Sequence, residues 1–191
     1  MTKSITRYHH YKGKQLSRSE NIEKKVIELI LNSKLQNEKR ESSKVWELKH
    51  SSGCIQISRI LAQRRNLNIE LAEIIAALHD IYVITNGKYK NHAILGGKIA
   101  DKLLRHSGAF SEKEIQTIVS AVSSHSQKDI YSNEPYSELI KDADTFDCSL
   151  YKGSEVEYRL TKSEPIFKEY AKRLSAVRKE LGLPKEPLFR K

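Results

Sequence analysis

Apolar residues recur at helical spacing along most of the chain, and no series of alternating strand-length runs interrupts them. Ser17 to Glu20 reads as a capping box, and Ile22, Val26, Leu29 and Ile30 follow on one face. A charged connection over 36–44 leads to a second helix from about Lys44 to Arg65. The third opens at Asn68 and carries Leu71, Ile74, Ile75 and Leu78. The stretch 81–91 contains Asn86-Gly87 and reads as a loop. A fourth helix runs from near His92 to about His106. Ser111 to Glu114 is a second capping box, with Ile115, Ile118, Val119 and Val122 at helical spacing behind it. Beyond a loop around Pro135, another helix holds Leu139 to Leu150. The last begins near Pro165 and stops at Leu181-Gly182, with Pro184 beyond it. The pattern predicts an all-α, multi-helix fold. Residues 1–16, polar and without a sustained period, read as a mobile arm.

Several apolar stripes carry a polar residue. His50 shares its stripe with Cys54, Ile57 and Leu61, and His92 shares one with Gly96, Ile99 and Leu103. His125 continues the stripe of Ile118 and Val122, at or just past the helix end. His79 follows Ala72 and Ile75, with Asp80 beside it, and Asp144 lies one turn from Ile140. One inward histidine is usually a core residue satisfied by a hydrogen bond. Several inward titratable groups from five helices are harder to satisfy that way, because buried charge is costly unless paired or bound to metal. Four imidazoles and two carboxylates are a donor set for divalent transition metals. His9 and His10 have no such company and read as part of a solvated tail.

Charge adds a detail. The formal net charge is +10, but residues 1–18 carry five basic residues and no acid, and residues 152–191 carry eleven basic residues against six acids. The stretch between is balanced. A flexible basic arm over 1–18, a helical domain over 19–160 and a basic C-terminal helix over 161–191 packed on that domain are therefore expected. Basic ends can attract nucleic acid, although an ordinary soluble surface reads the same way. Cys54 and Cys148 are too far apart in sequence for a CxxC motif, which suits small buried thiols in a reducing cytoplasm. No apolar run is long enough to span a membrane, and the N-terminus has no apolar core of a signal peptide.

The order His50, His79-Asp80 and Asp144, with the flanking text AEIIAALHD and LIKDAD, resembles the HD-domain superfamily of metal-dependent phosphohydrolases over about residues 46–150. The resemblance implies an HD-like helical bundle with a metal site in its interior. It implies that His50, His79, Asp80 and Asp144 bind one ion, and that Asp80 bridges to a second held by His92 and His125. The cofactor would be one or two divalent ions: manganese, iron, magnesium, cobalt or nickel. Members often continue the dipeptide with Ile-Gly-Lys, whereas this chain has Ile81-Tyr82, without the glycine and the nearby cation.

The expected activity is hydrolysis of a phosphoester, of a nucleotide or related small molecule, by metal-activated water, with Asp80 as the catalytic carboxylate. Arg59, Lys88 and Lys90 are candidate phosphate clamps, each also readable as an ordinary solvated cation. A nuclease on the same centre, a di-iron oxygenase on the same fold and a non-enzymatic helical binding module remain as alternatives.

Overall fold

The computed structural model describes residues 10–191. The expected N-terminal arm falls largely on residues 1–9, which lie outside the described residues together with His9. Among the described residues, nine α-helices run in the order α1 (Arg18–Leu31), α2 (Lys44–Arg64), α3 (Ile69–Leu78), α4 (Ile81–Asn86), α5 (His92–Ser107), α6 (Glu112–Ser124), α7 (Pro135–Ser149), α8 (Ser154–Thr161) and α9 (Glu164–Glu180). One 3₁₀ turn, Asn37–Lys39, sits in the charged connection. There is no strand among the described residues, and no helix there is long and apolar enough to cross a membrane.

The predicted caps form. Ser17 and Ser111 each accept from the backbone N–H three residues on, and Glu20 and Glu114 return the bond to the cap backbone. Asn68 caps α3 through Leu71. Each such cap contributes on the order of 1 kcal/mol.

The third helix is the axis of the bundle. Every residue from Ala72 to Leu78 is buried, so α3 has no solvent face over its last two turns. It packs on α1, α2, α6 and α7. One apolar cluster joins it to α1, α4, α5 and α6 through Val26, Ile30, Ile81, Leu104 and Ile118. A second cluster joins α2 and α7 to α9 through Leu61, Leu139, Phe146, Phe167 and Leu174. Burial of each Leu, Ile or Phe contributes about 1.5–3 kcal/mol. A helix enclosed this way has little freedom to slide, and its C-terminal residues are held at the centre of the molecule.

Two elements differ from the expected pattern. The stretch read as a loop begins with α4, a six-residue helix that buries Ile81, Val83 and Ile84 and stops at Gly87 in the left-handed region. Its length is under two turns, too short to display a helical period. The segment between α7 and α9 contains α8, which buries none of its residues and so has no apolar stripe to detect.

Ion pairs fasten the bundle at both ends. Arg173 on α9 is buried and binds Glu138 and Asp142 of α7, while Arg65 joins Asp142 to Glu180. Arg18 at the start of α1 binds Glu70 of α3 and Glu114 of α6.

Arg18, together with the Ser111 backbone and hydroxyl, holds the Glu114 carboxyl down to about 2, from a usual 4.5. The folded state therefore prefers the charged form. This contribution is complete above about pH 4.5 and is lost as pH falls toward 2. Glu114→Gln is expected to keep the capping box but flatten the decline of thermal midpoint between pH 4.5 and 2, measured by circular dichroism. Ile118→Ala, in the fully buried first cluster, is expected to lower unfolding free energy by about 2–5 kcal/mol in urea titrations.

Candidate metal centre

The helical axis breaks at His79-Asp80. His79 closes α3 in helical conformation, and Asp80, at φ −101° and ψ 21°, opens α4. Both side chains are buried there. Around them stand His50 from the middle of α2, His92 from the first residue of α5, His125 from the C-cap of α6 and Asp144 from α7. The six residues expected from the sequence thus come from separate elements to one place.

The close approach of α5 and α6 helps to set His92 against His125. A Cβ on Gly97 would lie 2.0 Å from Ser123 Oγ and 3.3 Å from Ser123 Cβ, so a larger residue would force the serine hydroxyl to turn away. The two ring Nε2 atoms are 3.0 Å apart. His50 Nε2 and His79 Nε2 are 3.2 Å apart. Asp80 lies between these pairs. Its Oδ2 is 3.4 Å from His79 Nε2 and 3.8 Å from His50 Nε2, and its Oδ1 is 3.4 Å from both His92 Nε2 and His125 Nε2. Asp144 Oδ1 is 3.4 Å from His50 Nε2.

The far nitrogens settle the tautomers. His79 Nδ1 donates to Ala76 O, His92 Nδ1 to Tyr89 O and His125 Nδ1 to Val122 O, each at 2.7 Å. A carbonyl oxygen only accepts, so each Nδ1 carries the hydrogen and a neutral ring presents a lone pair at Nε2. His50 Nδ1 lies 2.6 Å from Asp147 Oδ2 and is committed in the same sense. Two neutral imidazoles that face each other through lone pairs at 3.0 Å have no hydrogen bond between them. A proton or a metal cation relieves that repulsion. Burial, reinforced by Lys128 and His79, pushes His125 down to about 4, so its ring is neutral at neutral pH.

The carboxylates point the same way. Burial opposes ionisation of Asp80, but the imidazoles of His79 and His125 outweigh it and hold the carboxyl well below its usual range. Asp144 is likewise held low, burial being outweighed by Lys128 and His50. Asp80, Asp144 and Asp147 bring three carboxylates to the centre, and the ammonium of Lys128 is bound to Asp144. Asp80 Oδ1 is buried without a hydrogen-bond partner among the described residues. Such an orphan costs about 1–3 kcal/mol or more when charged. Donors about 2.0–2.1 Å from one ion stand roughly 3 Å apart, close to the separations observed here. The donor set, its spacing and the orphaned oxygen therefore fit divalent cations. Among the described residues, two groups of side chains meet the spacing for an ion: His50, Cys54, His79 and Asp144, and His79, Asp80 and His125. Cys54 is the weakest of these donors. Its Sγ is 3.7 Å from both nitrogens of His50, so it lies off the Nε2 direction, and burial keeps its thiol protonated.

A cavity of about 440 Å³ opens onto the centre. His50, Asp80, His92 and Asp144 form its floor, Lys128 and Lys162 bring positive charge, and Trp46, Tyr89, Tyr158 and Tyr170 bring aromatic surface. An adjoining slot of about 340 Å³ shares Trp46, Cys148, Glu157 and Tyr158 with it and adds Tyr151. Trp46 stacks on the His50 ring at 5.4 Å.

The three expected phosphate clamps stand elsewhere. Arg59 binds Glu73 at 2.5 Å and Gln56, and Lys88 pairs with Glu41 at 3.3 Å. Lys90 is exposed. None of the three lines the cavity, whereas Tyr89 between the two lysines does. The cation that does reach the centre is Lys128, which is 4% exposed and bound to Asp144 and to His125 O at 2.6 Å. It follows the end of α6, where helical periodicity no longer indicates direction. Asp147 is 3% exposed and bound to His50. Asp142 faces away, toward Arg65 and Arg173.

The HD-domain family model matches residues 48–148, more than half of the chain, and the match includes all six convergent residues. No curated protein and no solved structure matches the chain. The chain belongs to the HD-domain superfamily of metal-dependent phosphohydrolases.

Proposed function

We propose that this chain hydrolyses a phosphoester of a small molecule, with a nucleotide as the favoured class. The observation that carries this reading is the composition of the cavity: a floor of imidazoles and carboxylates, two lysines, and aromatic walls. Its volume lies within the roughly 300–1,000 Å³ of small-molecule pockets, which favours a compact substrate over a polymer.

His50, His79, Asp80 and Asp144 would hold one divalent ion, and Asp80, His92 and His125 a second. Bound divalent ions supply Lewis acidity, bringing water toward ionisation at neutral pH and neutralising phosphoryl charge. Asp80 presents one oxygen to each half and is the carboxylate on which both depend. Lys128 uses two of its three N–H donors on His125 O and Asp144, which leaves the third for a phosphoryl oxygen. Lys162 has no carboxylate partner among the described residues and is the second anion contact; its ammonium lies 6.0 Å from the Tyr170 ring centroid. Trp46 and Tyr158 offer flat faces beside the reacting centre, suited to a base or another planar group. Tyr158 keeps its hydroxyl proton, because burial raises its pKa well above the usual value.

Elemental analysis of protein purified without chelator is expected to find about two divalent ions per chain, largely lost in Asp80→Ala. Manganese at about 100 times its Kd is expected to stabilise the metal-free protein by about 2.7 kcal/mol. Lys162→Ala is expected to lower kcat/KM about 10- to 100-fold, chiefly through KM, as loss of a charged hydrogen bond of about 1.5–3 kcal/mol implies. Lys90→Ala is expected to leave both constants near their original values. No phosphate or alcohol released by metal-loaded protein from phosphomonoesters, phosphodiesters and nucleotides would reject the hydrolase. Oxygen uptake by the iron-loaded sample would then favour an oxygenase.

A further inference from the structure

Three of the four histidines at the centre are anchored alike, with Nδ1 donating to the carbonyl three residues earlier. His50 departs from this pattern. Its Nδ1 meets a carboxylate, Asp147 Oδ2, at 2.6 Å across the α2–α7 interface. Asp147 reaches that position through a notch in α2. A Cβ on Gly53 would lie 1.8 Å from Asp147 Oδ1 and 2.7 Å from its Cγ. Gly53 stands in the interior of a 21-residue helix, where glycine is about 1 kcal/mol less favourable than alanine. Its backbone shows no positive φ that would call for glycine. Room for the Asp147 carboxylate is the structural reason for glycine at this position.

A carboxylate behind an imidazole draws on the N–H proton and raises electron density at the opposite nitrogen, more than a neutral carbonyl does. The two halves of the centre are already unequal. The His50 half offers His50, His79, Asp80 and Asp144. The other offers His92, His125 and the remaining oxygen of Asp80, and the His92 side chain is 17% exposed. We propose that Asp147, seated in the notch left by Gly53, is a positioning residue that makes the His50 half bind its divalent ion more tightly than the His92–His125 half, so that the halves fill in order. The proposal rests on the reading of these six residues as a metal centre.

The test is titration of metal-free protein with Co²⁺ in competition with a chromophoric chelator, on the unaltered chain, Asp147→Asn, Gly53→Ala and the double variant. The Asp147→Asn side chain retains an oxygen that accepts from Nδ1 but loses the charge. The unaltered chain is expected to bind two ions of distinct affinity. Each single variant is expected to weaken the tighter ion by about 10- to 100-fold, to leave the weaker one unchanged and to shift the visible absorption of the first Co²⁺. The double variant is expected to bind no worse than the weaker single, because both substitutions remove the same contact. Far-UV circular dichroism and the thermal midpoint of the metal-free proteins check folding; if Gly53→Ala does not fold, the near-isosteric Asp147→Asn decides. Asp147→Asn that binds both ions as tightly as the unaltered chain, or weakens both equally, overturns the inference and leaves the metal centre standing. An unaltered chain that binds no ion overturns both.

Discussion

Four imidazole rings are locked by hydrogen bonds on their outer nitrogens, so their inner lone pairs have to converge. The lock is local in three cases, since each ring bonds a carbonyl of its own helical turn or of the segment just before it. Those rings are thereby oriented by partners local in sequence. What tertiary structure adds is proximity. The enclosed α3 brings His79-Asp80 to the middle, and the glycine-lined approach of α5 to α6 sets His92 against His125. Packing holds together groups that repel as neutral rings and carboxylates. Bundle stability and affinity for a cation are therefore coupled, because the apolar core keeps the donors where only a positive charge relieves them.

The division between this centre and its surroundings follows the chain. All six convergent residues lie in α2–α7, within the part that matches the family. The walls of the cavity draw also on α8 and α9, through Tyr158, Lys162 and Tyr170. Among the buried contacts that tie the two regions, one reaches the cation of the centre. Arg173 on α9 donates through Nε to Lys128 O at 2.6 Å, while Lys128 itself reaches Asp144. The C-terminal helix thus supports the backbone from which the buried cation enters the centre.

The converging side chains were legible from spacing, because five of them share a stripe with apolar residues that the core must bury and Asp80 adjoins one of the five. The helices were legible for the same reason, and their starts through serine and asparagine caps. Lys128 was not, since it follows the end of α6 and no periodic neighbour indicates its direction. Asp147 depends on a distant residue, because its carboxylate fits the core only through Gly53, ninety-four positions earlier in the chain. Arg59, Lys88 and Lys90 were plausible clamps by nearness in sequence to the histidines. Glu73 and Glu41 engage two of them instead, and no sequence pattern announces such long-range pairs. Helix α8 was invisible because it contributes walls without contributing core.

That last property has an evolutionary consequence. A helix whose residues are all at least partly exposed can change its sequence with little penalty in folding, since most substitutions that destabilise a protein do so through buried atoms. Yet α8 presents Glu157, Tyr158 and Thr161 to the cavity, with Lys162 just beyond its end. On the proposed reading, changes in these eight residues would alter which molecules the cavity admits, while the convergent centre and the helix behind it stay as they are. Selectivity and reactivity would then sit on parts of the molecule that mutate under different constraints.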